Sequence, residues 1–383
     1  MRQYIYGVDE TGRTVQGYEL SNEEIMVRFI DYGARLTDFI VRPLARNIVL
    51  GFPSLEGYLH DRASLGATVG RVANRIADAC FTINGKTYSF SPNDGTHLLH
   101  SGSAGLGMIL WHQGELPSGV STVMSDADDS VCLTVTMPGE VDGFPGDAKV
   151  YMMAGLYGKE LRLTYYYRTT EDSVVNITNH SYFNLNGTGD ILDHEVRLYA
   201  THYAPFGRPQ IPDGSIVTVK GSPFDFTVWQ RMEQQLHRYK EALALYRGYD
   251  HHYVTQPPTM DMPCVIPDGT KQGIVADNIR LIHENDEVKG SEEATHMLCG
   301  SFRTCDIMLT ISSDAPGFQL YTGNWLDDTA GREAYGPYAG MCIEPQFIPN
   351  DVNLPAFRQS LTKKDCWYRR TIAYTVDTST TEK

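Results

Sequence analysis

The polar and apolar positions along the chain alternate far more often than they recur at helical spacing. Residues 81–90, FTINGKTYSF, form two short alternating runs joined by Asn84-Gly85, a pair whose tolerance of positive φ predicts a two-residue hairpin turn of type I′. Residues 132–137 place Leu133, Val135 and Met137 on one face. The stretch 149–169 predicts a second hairpin turning near Gly158-Lys159, with Leu161, Leu163, Tyr165 and Tyr167 on one face of its return strand. Further strand-like runs lie at 174–185, 195–199, 215–219, 306–312 and 371–376, separated by clusters of Gly, Pro, Asn and Asp. One segment only has helical spacing: Met232, Leu236, Tyr239, Leu243 and Tyr246 make an apolar stripe suited to packing on a sheet edge. Many short strands with so little helix predict an all-β protein, a large antiparallel β-sandwich with few short helices.

Nothing in the pattern divides the chain. There is no Pro- or Ser-rich linker and no internal repeat, so one domain over 1–383 is expected. Residues 256–300 are less orderly and contain the charged run HENDEVKGSEEATH, which predicts a surface insertion between strands; the polar tail 377–383 is expected to fray.

Composition narrows the function classes. The 383 residues carry a formal net charge of −15, which argues against nucleic acid or an anionic membrane as partner. No apolar run approaches the roughly 18 residues of a membrane span. The opening MRQYIYGVDETGRT lacks a cationic region followed by an apolar core, so no signal peptide is expected. Seven cysteines, an odd number without C-x-x-C spacing, signal neither a disulfide framework nor a zinc site; reduced, mostly buried thiols and a cytoplasmic location are the expectation.

Familiar catalytic devices are missing from the sequence. It has no P-loop, dinucleotide fingerprint, H-E-x-x-H helix or G-x-S-x-G elbow. Polar residues are instead concentrated within strand-like surroundings, in GRVANRI (70–76), HLLHSG (97–102), ITNHSYFNL (177–185), GYDHHYV (248–254) and CIEPQF (342–347). Taken alone, His180 reads first as a core histidine satisfied by backbone groups. Asp250, His251 and His252 suggest a metal site only weakly, because neighbours on a strand point to opposite faces. Glu344 is more informative, since a carboxylate in an apolar strand is costly to bury without a partner or a task. Arg75 is its natural structural partner.

Together these segments resemble the aldose 1-epimerase (galactose mutarotase) family. The elements YGARLTDFIV, VLGFPSLEGYL, GRVANRI, FTINGKTYSF, LLHSG, VDGFPG, TNHSYFNL, PFDF, GYDHHYV, PGFQLYTGNWLD and EPQFIPNDVN occur in the family's order, covering about residues 19–376. The resemblance implies a large antiparallel sandwich with an open cleft across one sheet. It further implies that His180 is the general acid and Glu344 the general base, and that Asn74, Arg75, His100, Asp250 and Gln319 bind the sugar or polarise its ring. Tyr182 and Trp325 stand near these motifs without an assigned role. Three departures bear on the cleft rim: Ser101 precedes Gly102 where the family has two glycines, His97 and Leu98 replace an Asn-His pair, and the segment 257–300 is long.

The implied reaction is exchange of α- and β-anomers of a free aldose such as glucose or galactose, by ring opening and reclosure. A base takes the C1 hydroxyl proton while an acid protonates the ring oxygen. No redox change occurs and no group is transferred, so no cofactor and no metal are implied. The partner is a small-molecule aldose; a monomer is the default assembly and a dimer the alternative. Two other readings compete. A glycoside hydrolase would use two carboxylates, for which Asp250 and Glu344 are candidates. A sugar-binding sandwich without turnover would keep the cleft but has no need of both His180 and Glu344.

Overall fold

Alternation becomes a pleated layer wherever one set of side chains can leave water. In the computed structural model, which describes residues 1–117, 126–255, 296–327 and 329–378, the largest sheet has nine strands. Across it run His112–Gln113, Asp129–Met137, Ala148–Tyr157, Glu160–Thr169, Tyr368–Asp377, Met308–Ser313, Met297–Arg303, Glu195–Leu198 and Gln230–Arg231, all pairings antiparallel. The inward faces are those the sequence marks: Leu133, Val135 and Met137 on one strand, and Leu161, Leu163, Tyr165 and Tyr167 on another, are all buried in one core. Tyr166 faces the other way and is still buried, against Tyr151 and Trp367.

Two five-stranded antiparallel sheets lie over this layer. The first runs Arg2–Val8, Thr14–Ser21, Ile25–Ile30, Arg35–Val41 and Arg46–Asn47 in chain order. The second, ordered Val217–Thr218, His202–Ala204, Asp250–Val254, Gly317–Tyr321 and Cys342–Pro345, carries the cleft. Its last strand packs on the large sheet at Gly300, where an added Cβ would lie 2.4 Å from Ile343 Cδ1. Glycine thus lets the Ile343 side chain lie close against the strand beneath the one that bears Glu344.

Both hairpin turns match their sequence signals. Ile83 pairs with Lys86 across Asn84 (φ 49°) and Gly85 (φ 74°), the double positive φ of a type I′ turn. Tyr157 pairs with Glu160, and Gly158 at φ 54° takes the first central position.

Elsewhere packing overrides pattern. The run 174–185 is not one strand: only Ser173–Val174 and Thr178–Asn179 pair as strands, and residues 174–185 are buried throughout. Its backbone N–H groups go instead to separate partners: Val175 to Ser360 O, Asn176 to Arg71 O, His180 to Ala67 O and Phe183 to Met341 O. A run apolar on both faces threads between layers and finds its hydrogen bonds wherever neighbours approach. Similarly, only Val217–Thr218 of the expected 215–219 strand is paired. The apolar stripe from Met232 forms a helix Met232–Arg238, a second Lys240–Leu243 and a 3₁₀ turn Ala244–Tyr246, with the break at Tyr239 (φ −110°, ψ 23°). The break keeps Met232 and Leu243 in the core while Tyr246 reaches Phe206 and His251.

Most of the expected insertion at 256–300, up to residue 295, lies outside the described residues, as does the tail from 379. The insertion's last residues are not surface loop: Met297–Arg303 is an interior strand of the large sheet, because Cys299 and Phe302 complete its core face. Asp377 likewise ends a strand rather than fraying. No helix among the described residues is long and apolar enough to cross a membrane. Of the six described cysteines, all free thiols, only Cys299 and Cys342 are fully buried, and Cys305 is exposed, so burial is less general than expected.

One buried ion pair supports a wall of the cleft. Arg35 Nη1 lies 2.6 Å from Asp61 Oδ2 and also donates to Leu65 O, while Asp61 accepts from the N–H groups of Ala63 and Leu65. Removing one partner leaves the other charge buried, a loss of about 3–5 kcal/mol. Asp61→Ala should therefore lower the urea midpoint by a large part of the total stability without changing the secondary structure at low denaturant.

Candidate active site

The cleft is built from chain segments that no local spacing would unite. His180 is delivered by the threading segment: its N–H donates to Ala67 O at 2.9 Å and its carbonyl accepts from Gly66 N–H at 3.0 Å. Gly66 has φ 67°, and a Cβ there would lie 2.0 Å from Leu36 O, so only glycine allows this approach. Asn179 Nδ2 donates to Gly66 O, and its Oδ1 accepts from Ser181 and Tyr374, which fixes the backbone on both sides of His180. The imidazole is packed by Tyr182 at 5.0 Å, His100 at 5.3 Å and Tyr321 at 6.3 Å between ring centroids.

Glu344 arrives from the strand Cys342–Pro345, paired opposite Gln319. Its Oε1 lies 3.6 Å from His180 Nε2, and its Oε2 is buried with no hydrogen-bond partner among the described residues. A buried carboxylate oxygen without a protein partner calls for an explanation, and a catalytic task is one. Glu344 lines the cleft, where its carboxylate can accept a proton from a bound hydroxyl.

Burial works on both members of this pair. It lowers His180 to about 4 against a smaller opposing backbone hydrogen bond, and it raises Glu344 well above the ordinary carboxylate value. The negative charge of Asp250 raises Glu344 further, while Arg75 pulls it down. The 3.6 Å approach favours the charged pair and opposes both shifts. Because each group's state depends on the other, the pair holds one proton across the intervening pH range, on either nitrogen or oxygen.

Cys342 was not flagged by the sequence, yet its Sγ lies 3.6 Å from His180 Nδ1. Burial raises this thiol, so it keeps its hydrogen.

The remaining sequence candidates form the cleft's flank. Asn74 and His100 are tied together: Asn74 N–H donates to His100 Nδ1 at 3.1 Å and His100 N–H to Asn74 O at 2.9 Å. With Nδ1 accepting and burial lowering its pKa, neutral His100 carries its proton on Nε2 as a donor. Arg75 does not pair with Glu344 as expected; its Nε donates to Asp94 Oδ2 at 2.7 Å, because the turn 93–99 brings Asp94 alongside. Asp250 has both oxygens held, Oδ1 by Gln319 Nε2 at 2.6 Å and Oδ2 by Gln210 Nε2 at 2.7 Å. Gln319 Nε2 is thus held by Asp250, while its Oε1 is buried with no hydrogen-bond partner among the described residues. Gln210 and Asp94 were not anticipated: they sit on turns, and no periodicity marks what a turn residue will face.

The departures find local explanations. Ser101 Oγ accepts from Val72 N–H and donates to Val72 O, pinning the turn that positions His100. His97 Nδ1 accepts from Asp78 N–H outside the cleft, and Leu98 fills a small core. The idea of metal binding at Asp250-His251-His252 gains no support. His251 stacks on Phe206 and Phe224 at 4.8 and 4.4 Å, and His252 is buried on the opposite face.

Comparison with known proteins converges on one family. A profile described as Aldose 1-epimerase matches residues 16–289. Galactose mutarotase from Bos taurus is 33% identical over 360 residues, 91% of this chain and 90% of that protein. Aldose 1-epimerase from Escherichia coli is 28% identical, covering 91% and 89% respectively. Among solved structures, galactose 1-epimerase from Lactobacillus acidophilus superposes with a TM-score of 0.76 at 22% identity, over 98% of both chains. An aldose epimerase homologue from C. elegans gives the same score at 24% identity, over 94% of this chain and 98% of that one. These last two establish the sandwich fold; the profile and the bovine relative establish that the chain belongs to the aldose 1-epimerase family.

Proposed function

We propose that the protein interconverts the α- and β-anomers of free aldoses, with Glu344 as base and His180 as acid. The observation that carries this reading is the buried His180–Glu344 pair, 3.6 Å apart in the wall of the cleft, whose shared proton matches the needs of hemiacetal opening. In the opening step the Glu344 carboxylate takes the C1 hydroxyl proton, and protonated His180 gives its Nε2 proton to the ring oxygen. The bond from C1 to the ring oxygen breaks as the C1 carbonyl forms. Rotation about C1–C2 exposes the other face. Reclosure uses the exchanged states, Glu344 now protonated and His180 neutral, so one turnover restores the pair.

Ring opening and closure each need one proton on the pair, differently placed. Donors from Arg75 and His100 stabilise charge on oxygen, and Asp250, immobilised by two amides, accepts from a sugar hydroxyl and orients the ring.

Polarimetry separates the readings. Freshly dissolved α-glucose or α-galactose should relax to its equilibrium rotation faster with added protein, in proportion to protein concentration. Aryl glycosides should release no phenol. Phenol release, or rotation relaxing only at the background rate, would contradict the proposal.

A further inference from the structure

Asp250 is held from two sides, and the two holders differ in kind. Gln319 stands on the neighbouring strand, opposite His252, and reaches Asp250 within the sheet. Gln210 comes from outside that sheet, at the tip of a short hairpin in which Phe206–Arg208 pairs with Ile211–Pro212. Pro209 and Gln210 are the central residues of its turn, and both line the cleft. Gln210 has φ 57°, a conformation that a turn opening on proline normally gives to Gly or Asn. A glutamine there is strained backbone, and residues kept in that state cluster at functional sites.

The hairpin is pinned on several sides. Phe206 stacks on His251 at 4.8 Å and meets Tyr246 edge-on at 5.2 Å between ring centroids. Arg208 Nη1 donates to both oxygens of Asp78 at 3.1 Å, on the segment that follows Arg75, and Tyr246 bonds to the Gln210 backbone. The tip is thus fixed between the wall that bears Arg75 and the strand that bears Asp250. From it Gln210 Nε2 donates to Asp250 Oδ2 at 2.7 Å. Each carboxylate oxygen has two acceptor positions. The bonds from Gln210 and Gln319 therefore fix the plane of the carboxylate and leave it capacity to accept from a hydroxyl.

We propose that Gln210 is a positioning residue that determines sugar specificity. Its carboxamide sets the direction in which Asp250 accepts from one ring hydroxyl away from C1. Through Asp250 it sets how strongly the cleft distinguishes aldoses that carry this hydroxyl from those that lack it. The inference rests on the anomer-exchange reading and deepens it by assigning the discrimination to a pair of residues. The reacting atoms are C1 and the ring oxygen, so Asp250 binds its hydroxyl equally before and during ring opening. Uniform binding of that kind appears in KM rather than in kcat.

The test follows mutarotation of glucose and of its 2-, 3-, 4- and 6-deoxy analogues by polarimetry, for the wild type, Gln210→Gly and Gln210→Glu. Glycine suits the positive φ, so Gln210→Gly should fold and melt close to the wild-type temperature. Its KM for glucose should rise about five- to tenfold while kcat changes by less than about twofold; loss of one charge-assisted hydrogen bond on Asp250 supports that scale. For one deoxy sugar the wild type should show kcat/KM about tenfold or more below that for glucose, and in Gln210→Gly this penalty should shrink at least about threefold. Gln210→Glu adds a carboxyl that donates to Asp250 only while protonated, in surroundings that include Glu344, Tyr321, Tyr246 and Arg75. Its KM should match the wild type near about pH 5 and exceed it by about pH 8, as the two carboxyls come to repel. Unchanged KM and deoxy penalties in Gln210→Gly, with glucose accelerated by the wild type, would overturn the assignment alone. So would a lowered melting temperature with kcat and KM worsening equally on every sugar, which would make the hairpin a structural part only. A KM ratio independent of pH in Gln210→Glu would overturn it too. If the wild type does not accelerate glucose, the proposed function falls, and this role of Gln210 with it.

Discussion

Glu344→Gln should lose about three orders of magnitude or more in the rate of anomer exchange while still binding sugar. The substitution preserves shape and removes the proton acceptor, and a positioned base contributes about 10²–10⁴-fold. Glu344 Oε2 has no hydrogen-bond partner among the described residues. Fold stability should not fall, because burial raises the pKa of the wild-type carboxylate: a neutral amide is less costly there than an ionised carboxylate. Binding can be followed by saturation-transfer NMR on the sugar protons. Loss of binding together with activity would assign Glu344 to recognition, and an unchanged rate would remove it from the mechanism.

His180→Gln is expected to show a similar loss and also to change the form of the pH profile. In the wild type, activity follows the one-proton state of the pair. Acidification through about pH 4 adds a second proton, to His180, and no base remains. Raising the pH through the elevated Glu344 value removes the last proton, and no acid remains. The wild-type profile is therefore a bell with its acid limb near pH 4. Without His180, the residual activity needs only ionised Glu344. It should rise with pH through the same carboxylate, opposite to the wild-type alkaline limb. The comparison requires kcat/KM at a series of pH values with the buffer-catalysed rate subtracted. A bell that survives in His180→Gln would place the acid elsewhere.

The architecture was readable where the physics is local. Asn84-Gly85 announces its turn because two successive positive φ angles leave few alternatives, and Leu161 to Tyr167 declare their buried face by period-two spacing. The catalytic candidates His180 and Glu344 were also legible, though through ordered resemblance: neither spacing nor composition says that residues 164 positions apart approach to 3.6 Å. What the sequence concealed depends on juxtaposition. The run 174–185 imitates a strand because it is apolar, yet its hydrogen bonds are scattered over several neighbours. Arg75 was expected to pair with Glu344 and instead binds Asp94, which a turn brings closer. Gln319 holds Asp250 as well as being a candidate for sugar contact, and the second amide on that carboxylate, Gln210, lies on a turn with φ 57° that no pattern marks. Cys342 reads as a core thiol until its neighbour across the cleft floor is known to be His180 Nδ1.

The central claim, that the buried pair opens and recloses a hemiacetal ring, is tested most directly by magnetisation exchange between the two anomeric C1 protons of equilibrated glucose. With the wild type, saturating the α-proton should diminish the β-proton signal in proportion to enzyme concentration, and the double variant His180→Gln/Glu344→Gln should reduce the transfer to the level seen without protein. Absence of transfer with the wild type, or undiminished transfer with the double variant, would contradict the account.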